Sequence, residues 1–551
     1  MMFSAPYSLC CVRRARHSLV ALCVALAMVA LFPALALAQP QSQPQPSSQE
    51  ATLPKFDIFE YQVEGNSRLP DIDIERAVTP YLGEGKTLRD VDGARSALER
   101  AYRDAGYLTA VVSIPEQNVD GANVTLRVLE GEVERVRVKG AASHLPSSIK
   151  AQVAELTPGN VPYFPEMQRE LAALNRSPDL KATPVMKAGK APGTLEVQLD
   201  VEDQLPLHGS VEFTNRQSPN TTPQRLSASL RYDNLWQLGH SIGFTAQTSP
   251  QNHDEVQVLA GTYVVPVGNA NDALALYAVR SRSKFATISG SPGLGVLGNS
   301  DIYGLRYAIP LRASADYSHS LLLGIDYKDV KQSVVLADSN ELPTPVSYAP
   351  LVASYTGNWL GQGSATKLDA TATLALRGLL GNRDAEFAAK RGGASASFLA
   401  LRSGLQRTED FGRWSLAGKL EFQLASGPLV SNEQYAAGGA ESVRGYLEGE
   451  ELGDDALRVA FELHTPKVAL GDDTSLWRIH GLAFIEGARL HTQQAAYPQP
   501  TFRNLLSAGA GLRLAAPHGA SLELDWAHAF DDAETTHAGD NRLHARFIWE
   551  F

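Results

Sequence analysis

The sequence predicts a membrane β-barrel of sixteen strands preceded by two small α+β modules. Three observations carry that expectation. From Gly209 to Phe551 apolar and polar residues alternate with a period of two. Beyond residue 38 there is no run of 18 apolar residues, so no helix is expected to span a bilayer. Residues 55–204 mix helical and strand periods, and their order of elements occurs twice.

The chain opens as an export signal would. Arg13, Arg14 and Arg16 precede an apolar run from Leu19 to Leu31, and Ala36-Leu37-Ala38 offers the small residues of a cleavage site, so residues 1–38 read as a signal peptide. All three cysteines, Cys10, Cys11 and Cys23, fall inside it. A mature chain starting near Gln39 would therefore form no disulfide and carry no thiolate site. Removing three arginines and no acid takes the formal charge from −11 to −14, which argues against general nucleic-acid binding. Residues 39–54, nearly all Gln, Pro and Ser at first, read as a solvated linker and are poor helix formers.

Residues 55–131 form the first expected module. Phe59, Tyr61 and Val63 alternate up to Gly65-Asn66; Ile74, Val78 and Leu82 recur at helical spacing. A stronger amphipathic helix presents Ala94, Leu98, Ala101 and Tyr102 on one face, and Gly106 ends it. Strands over Leu108–Ile114 and Val124–Leu129 follow. Residues 132–204 repeat this order, with a strand at Val133–Val138, a helix over Leu145–Leu156, a second helix marked by Met167, Leu171 and Leu174, a short strand starting at Val185, and a last one through Leu195, Val197, Leu199 and Val201.

Residues 205–551 are expected to form the barrel. Trp414, Leu416, Leu420, Phe422 and Leu424 alternate with Ser415, Ala417, Lys419, Glu421 and Gln423; Leu457, Val459, Phe461 and Leu463 alternate with Arg458, Ala460, Glu462 and His464. One apolar and one polar face, repeated, is what a lipid-facing wall around a wet lumen requires. Sixteen such segments start near residues 209, 225, 240, 254, 272, 301, 317, 351, 367, 394, 413, 456, 476, 503, 520 and 542. A soluble sandwich rarely sustains so many in one domain. In the last segment Leu543, Ala545, Phe547, Trp549 and Phe551 share one face, with Ile548 the exception to the alternation.

One connection stands apart. Residues 425–455 hold Gly438-Gly439-Ala440-Glu441-Ser442-Val443-Arg444-Gly445-Tyr446, and loops this long between strands are functional or disordered. An even strand number puts this loop on the side opposite the modules, free to fold back through the lumen. A guanidinium held there could grip a carboxylate with its planar fork. On the thirteenth segment Glu486 shares its phase with Arg478, His480 and Phe484, so it is expected to face inward next to Ile485 and Gly487. On spacing alone a solvated Arg beside a glycine turn is the favoured reading, and only the surroundings overturn it.

Other sites are set aside. Gly293-Leu294-Gly295-Val296-Leu297-Gly298 matches a dinucleotide fingerprint, but a strand follows where a helix is needed. The thirteen His show no close-spaced metal pattern, and there is no nucleophile elbow, so no metal, cofactor or enzyme activity is expected.

With these residues in place the chain resembles two-partner secretion transporters of the haemolysin and filamentous-haemagglutinin exporter type, within the polypeptide-transporting outer-membrane barrels. The likeness rests on two modules like polypeptide-transport-associated (POTRA) domains, sixteen strands, Val443-Arg444-Gly445-Tyr446 in the loop, Phe484-Ile485-Glu486-Gly487 on the wall, and Asn215-Arg216, Tyr232-Asp233-Asn234 and Gly239-His240 near the first strands. In that family the loop Arg pairs with a wall Asp; Glu486 is one methylene longer. The resemblance implies an outer-membrane pore with periplasmic POTRA domains that binds an unfolded secreted partner, large and β-helical, and exports it. It also implies that Phe547, Trp549 and Phe551 form a signal read by barrel assembly machinery, that lipid surrounds the barrel, and that the pore is a monomer without cofactor. An outer-membrane insertase and a diffusion porin are the rival readings.

Overall fold

The computed structural model describes residues 54–551 except 119–121, 269–271, 283–285, 288–294, 297–298, 332, 336–340, 472–475 and 497–498. The expected signal segment, its cysteines, the Gln/Pro-rich stretch up to residue 53 and most of Gly293–Gly298 lie outside the described residues.

The first module follows from one well-made helix. Leu88–Asp104 starts at a capping box in which the Thr87 N–H donates to Asp90 Oδ2 (2.8 Å). It buries Val91, Ala94, Leu98 and Tyr102 along one stripe. That stripe lies on a sheet in which Glu60–Glu64 runs parallel to Asn123–Leu129, with Val111–Ser113 antiparallel on its far edge. A shorter helix, Asp71–Val78, adds Ile74 and Val78 to the core. Burying each of the large side chains stabilises the module by roughly 1.5–3 kcal/mol. The strand expected over Leu108–Ile114 is shorter, and Phe56–Ile58 forms a small ladder with Gly83–Lys86 that alternation over so few residues does not signal.

The second module repeats the topology, with Glu132–Lys139 parallel to Thr194–Asp203 and Leu180–Ala188 antiparallel. The expected Leu145–Leu156 helix is split into Pro146–Ala151 and a 3-10 turn at Ala154–Leu156, and the strand expected to start at Val185 begins at Leu180.

A shared knot ties each module. Gly65 (φ +84°) and Gly140 (φ +94°) turn the chain where a Cβ would strike the carbonyl oxygens of Val128 and Val201, at 2.4 and 2.2 Å. Two residues past each of those valines a carboxylate collects the N–H groups of the loop. Glu130 Oε1 accepts from Ser67 N (2.7 Å) and Arg68 N (3.0 Å); Asp203 Oδ2 accepts from Ala142, Ser143 and His144 N (2.6, 2.7 and 2.8 Å). Burial would raise both carboxyls, but the hydrogen bonds prevail and hold each below its ordinary range; for Glu130 the Ser67 and Tyr102 hydroxyls contribute, for Asp203 the His144 ring.

Sixteen antiparallel strands then close into a barrel: Leu207–Thr214, Arg225–Leu235, His240–Thr248, Gln257–Val267, Asp272–Arg282, Ser300–Pro310, Tyr317–Val330, Pro350–Gly361, Ser364–Ala375, Phe398–Phe411, Trp414–Ala425, Asp455–His464, Arg478–His491, Phe502–Ala515, Ala520–Ala529 and Asn541–Glu550. No helix among the described residues is long and apolar enough to cross a membrane. The wall alternates as the period of two predicts, with Leu457, Phe461 and Leu463 exposed outside while Arg458 is buried inside. The fourth and tenth strands begin three and four residues later than expected, at Gln257 and Phe398. The first and last strands pair from Ser210↔Glu550 to Thr214↔Arg546. Gly209 and Phe551 extend the seam, each N–H donating to the other's carbonyl at 3.0 Å.

At the end opposite the modules, a core of Val330, Tyr348, Phe387, Phe398, Leu429 and Val430 draws three connections together. Phe387 comes from a short helix, Asp384–Lys390, that the sequence pattern did not reveal, and its ring meets Tyr348 edge-on at 5.2 Å.

Candidate functional site

Residues 426–454 leave the eleventh strand, fold back into the barrel and return to the twelfth. A two-stranded ladder of Tyr435–Ala437 with Glu451–Gly453 forms the stem. At the tip, Gly439 has φ +104° and lies where a Cβ would strike the Glu448 carboxylate, so that side chain fills the space above the turn. Glu448 Oε1 accepts from Ala440 N (2.9 Å), and Glu448 N donates to Gln217 O (2.9 Å).

Arg444, 2 % exposed, is the centre of the tip. Its backbone N–H and Nε donate to Glu486 Oε2 at 2.8 and 3.1 Å, and Nη2 donates to Oε1 at 2.8 Å. Nη2 also pairs with Glu462, and Nη1 reaches Asp525 Oδ2 at 3.3 Å. The guanidinium carbon sits 3.5 Å from the centroid of the Phe484 ring. Strands twelve, thirteen and fifteen thus supply three carboxylates, and strand thirteen the ring. Strand fourteen supplies room: a Cβ on Gly509 would meet Phe484 at 2.5 Å, and one on Gly511 would meet Asp525 at 1.9 Å.

Further cations balance the acids. Arg458 Nη1 donates to Glu421 Oε2 (2.9 Å) and its Nη2 lies 3.5 Å from Glu486 Oε1, and Arg513 grips Asp525 with two bonds at 2.7 and 2.8 Å. Buried charges persist only when paired and hydrogen-bonded in this way. Of these partners, the sequence reading placed Glu486 and Phe484 inward but did not identify Glu462, Asp525, Arg458 or Arg513 as partners. All lie in the inward phase, but only the register between strands brings them to one point.

Of the remaining expected residues, Val443, Gly445 and Tyr446 flank Arg444 in the loop tip. Val443 and Tyr446 are buried; the Tyr446 hydroxyl is 3.0 Å from the carbonyl oxygens of both Leu506 and Asp531. Gly445 (φ +97°) donates its N–H to His544 Nε2 at 2.9 Å, so that ring nitrogen is unprotonated. Gly487 follows Glu486 on the wall strand, paired with Val459 and Leu506. Phe547, Trp549 and Phe551 face outward at the seam, and Phe551 covers Gly209. Beside Arg444 opens a cavity of about 440 Å³ whose lining carries six cationic and five acidic side chains. Its apolar lining is alanine and glycine.

Loop 426–454 has a second anchor. Asp454, fully buried, accepts from Arg391 Nη1 and Nη2 (2.5 and 2.7 Å), Leu429 N (2.9 Å) and Gln493 N (2.7 Å), joining three connections at the outer mouth.

Comparison with known proteins agrees with this architecture. Residues 56–131 match the POTRA domain model, ShlB-type. The outer membrane transporter CdiB of Dickeya dadantii (strain 3937) is 25 % identical over 240 residues, 42 % of this chain and 41 % of that protein. The heme/hemopexin transporter protein HuxB of Haemophilus influenzae is 22 % identical over 269 residues, 43 % of this chain and 47 % of that protein. The chain thus spans less than half the length of either relative. Among solved structures, CdiB from Escherichia coli superposes with a TM-score of 0.60 at 19 % identity, covering 92 % of this chain and 93 % of that one. BamA from Haemophilus ducreyi lacking POTRA domains 1–3 gives 0.55 at 15 %, covering 90 % and 100 %. These two likenesses concern the fold alone. Residues 193–514, more than half of the chain, match one family model, and the chain belongs to that family: the haemolysin secretion/activation protein ShlB/FhaC/HecB family.

Proposed function

We propose that this protein is the outer-membrane pore of a two-partner secretion pair, capturing an unfolded partner polypeptide in the periplasm and exporting it to the cell surface or medium. The observation that carries the reading is the Arg444 clasp. A barrel that only sieved solutes would gain nothing from binding its own loop to the wall through three carboxylates. A loop so held keeps a polar passage of defined shape, and the mixed-charge cavity beside it lets a chain of either sign pass.

In this reading the two modules receive the partner. Their three-stranded sheets have edges suited to strand addition, and the second module is hydrogen-bonded to Gln237 in the turn between the second and third barrel strands. Folding of the partner outside supplies the driving force. The relatives named CdiB and HuxB are transporters by name, which supports a dedicated exporter over a general insertase.

The test is proteomics of medium, cell surface and outer membrane in the parent strain and in a deletion of this gene. Loss of one large exported protein is the expected outcome. Broad loss of outer-membrane barrels would favour the insertase, and no change in either would favour the porin.

A further inference from the structure

Three side chains from three separate elements converge where the second module meets the barrel. Asp179 precedes the strand Leu180–Ala188, His208 lies on the first barrel strand, and Asp233 lies on the second. His208 Nε2 is 3.1 Å from Asp179 Oδ2 and 3.7 Å from Asp233 Oδ2, and one ligand atom from each residue lies within 4.8 Å of the others. Spacing along the sequence does not reveal the group, because 29 residues separate the first two ligands.

Asp179 is 3 % exposed, and its carboxylate meets a single imidazole nitrogen. Buried carboxylates in proteins are paired or coordinate metals. Asp233 is braced by Arg231, whose Nε donates to Oδ2 at 2.9 Å. Outer partners of this kind orient carboxylates that bind metals. Ligand atoms at ~2.0–2.2 Å from a tetrahedral zinc stand roughly 3.3–3.5 Å apart, and the two observed separations bracket that value.

We propose that Asp179, His208 and Asp233 form a zinc site that clips the second module to the barrel mouth. His208 Nε2 and one oxygen of each carboxylate are the ligands, and water completes the tetrahedron from the solvent side, where His208 and Asp233 are about 30 % exposed. The imidazole selects against calcium and magnesium, which prefer all-oxygen shells. The junction does not depend on the metal for its existence. Gln237 Oε1 accepts from Leu145 N (2.9 Å), its Nε2 donates to Ser143 O (3.0 Å), and its carbonyl accepts from Ser148 Oγ (3.1 Å). Variants of the three ligands should therefore still fold.

The experiment is titration calorimetry of zinc chloride into the untagged, metal-stripped full-length protein in detergent at neutral pH. One site per chain is expected, with affinity reduced about tenfold or more in His208→Ala and in Asp179→Asn and unchanged in His253→Ala. Zinc should also slow amide exchange over residues 143–148 and 234–239 in the parent protein but not in His208→Ala. Heat-modifiable migration on gels verifies that each variant is folded. Absence of zinc binding would overturn the site and leave a His–Asp hydrogen bond. Equal binding by His208→Ala, or equal heat from calcium, would likewise overturn it.

Discussion

Arg444 stacks 3.5 Å above the ring of Phe484 while its guanidinium grips Glu486, two residues farther along the same wall strand. Stacking fixes the plane of the fork, and the carboxylate fixes its direction. Neither contact alone defines where the loop tip sits.

Arg444→Ala leaves Glu462, Glu486 and Asp525 facing one another without their shared cation. Breaking such a buried pair costs about 3–5 kcal/mol. Amide exchange across 426–454 should accelerate by roughly a hundredfold or more, and export should fall, while the amount of heat-modifiable barrel changes little. Equal loss of folded barrel would make the clasp purely structural. Arg444→Lys should resemble the alanine variant, since an ammonium neither stacks flat nor bonds two oxygens in a plane.

Glu486 accepts from both the backbone and the side chain of Arg444, which uses its full length. Glu486→Asp should retain the guanidinium contact and lose the backbone one, a defect of about 1 kcal/mol. Glu486→Ala should approach the Arg444→Ala phenotype. Secretion and loop exchange measured across the three variants should rank in that order, and identical defects in Asp and Ala would refute the graded role.

Asp454→Asn weakens the anchor that joins three connections at the outer mouth. Added protease should cut loops 376–397 and 426–454 faster in whole cells, with the Arg444 clasp unchanged by exchange measurements. Faster exchange at Arg444 as well would mean that the two anchors act as one unit.

Glu130 predicts an acid limit for the first module. Its folded pKa is lowered, so its contribution is complete above the ordinary glutamate value of about 4.3 and disappears as pH falls through the folded value. Exchange at residues 65–70 should rise in that acidic window. Glu130→Gln should lose about 1–3 kcal/mol at neutral pH and no longer show the acid step. An unchanged step in the variant would assign it elsewhere.

The alternation of the wall was legible because lipid and lumen demand opposite chemistry at successive residues, and each of the sixteen strands keeps that rule long enough to be seen. Glu486 could be placed inward from phase alone. Its meeting with Glu462 and Asp525 could not, since phase says which side a residue faces and only strand register says how high it sits. The short ladder at Phe56–Ile58, the helix Asp384–Lys390 and the group around His208 were illegible for a related reason: each is too brief, or assembled from pieces too distant, to impose a period on the sequence.

The knots at Glu130 and Asp203 sit at the two joints of the arm. Glu130 and Gly131 are all that separate Leu129 from the next strand, and Gln204 to Pro206 all that separate Asp203 from the first barrel strand. Tension on a polypeptide seated on the outer module would thus pass through two short, braced couplings into the strand that closes the barrel seam. The arm is built as a lever instead of a leash, and the work of a pulling or folding client would be felt at the wall.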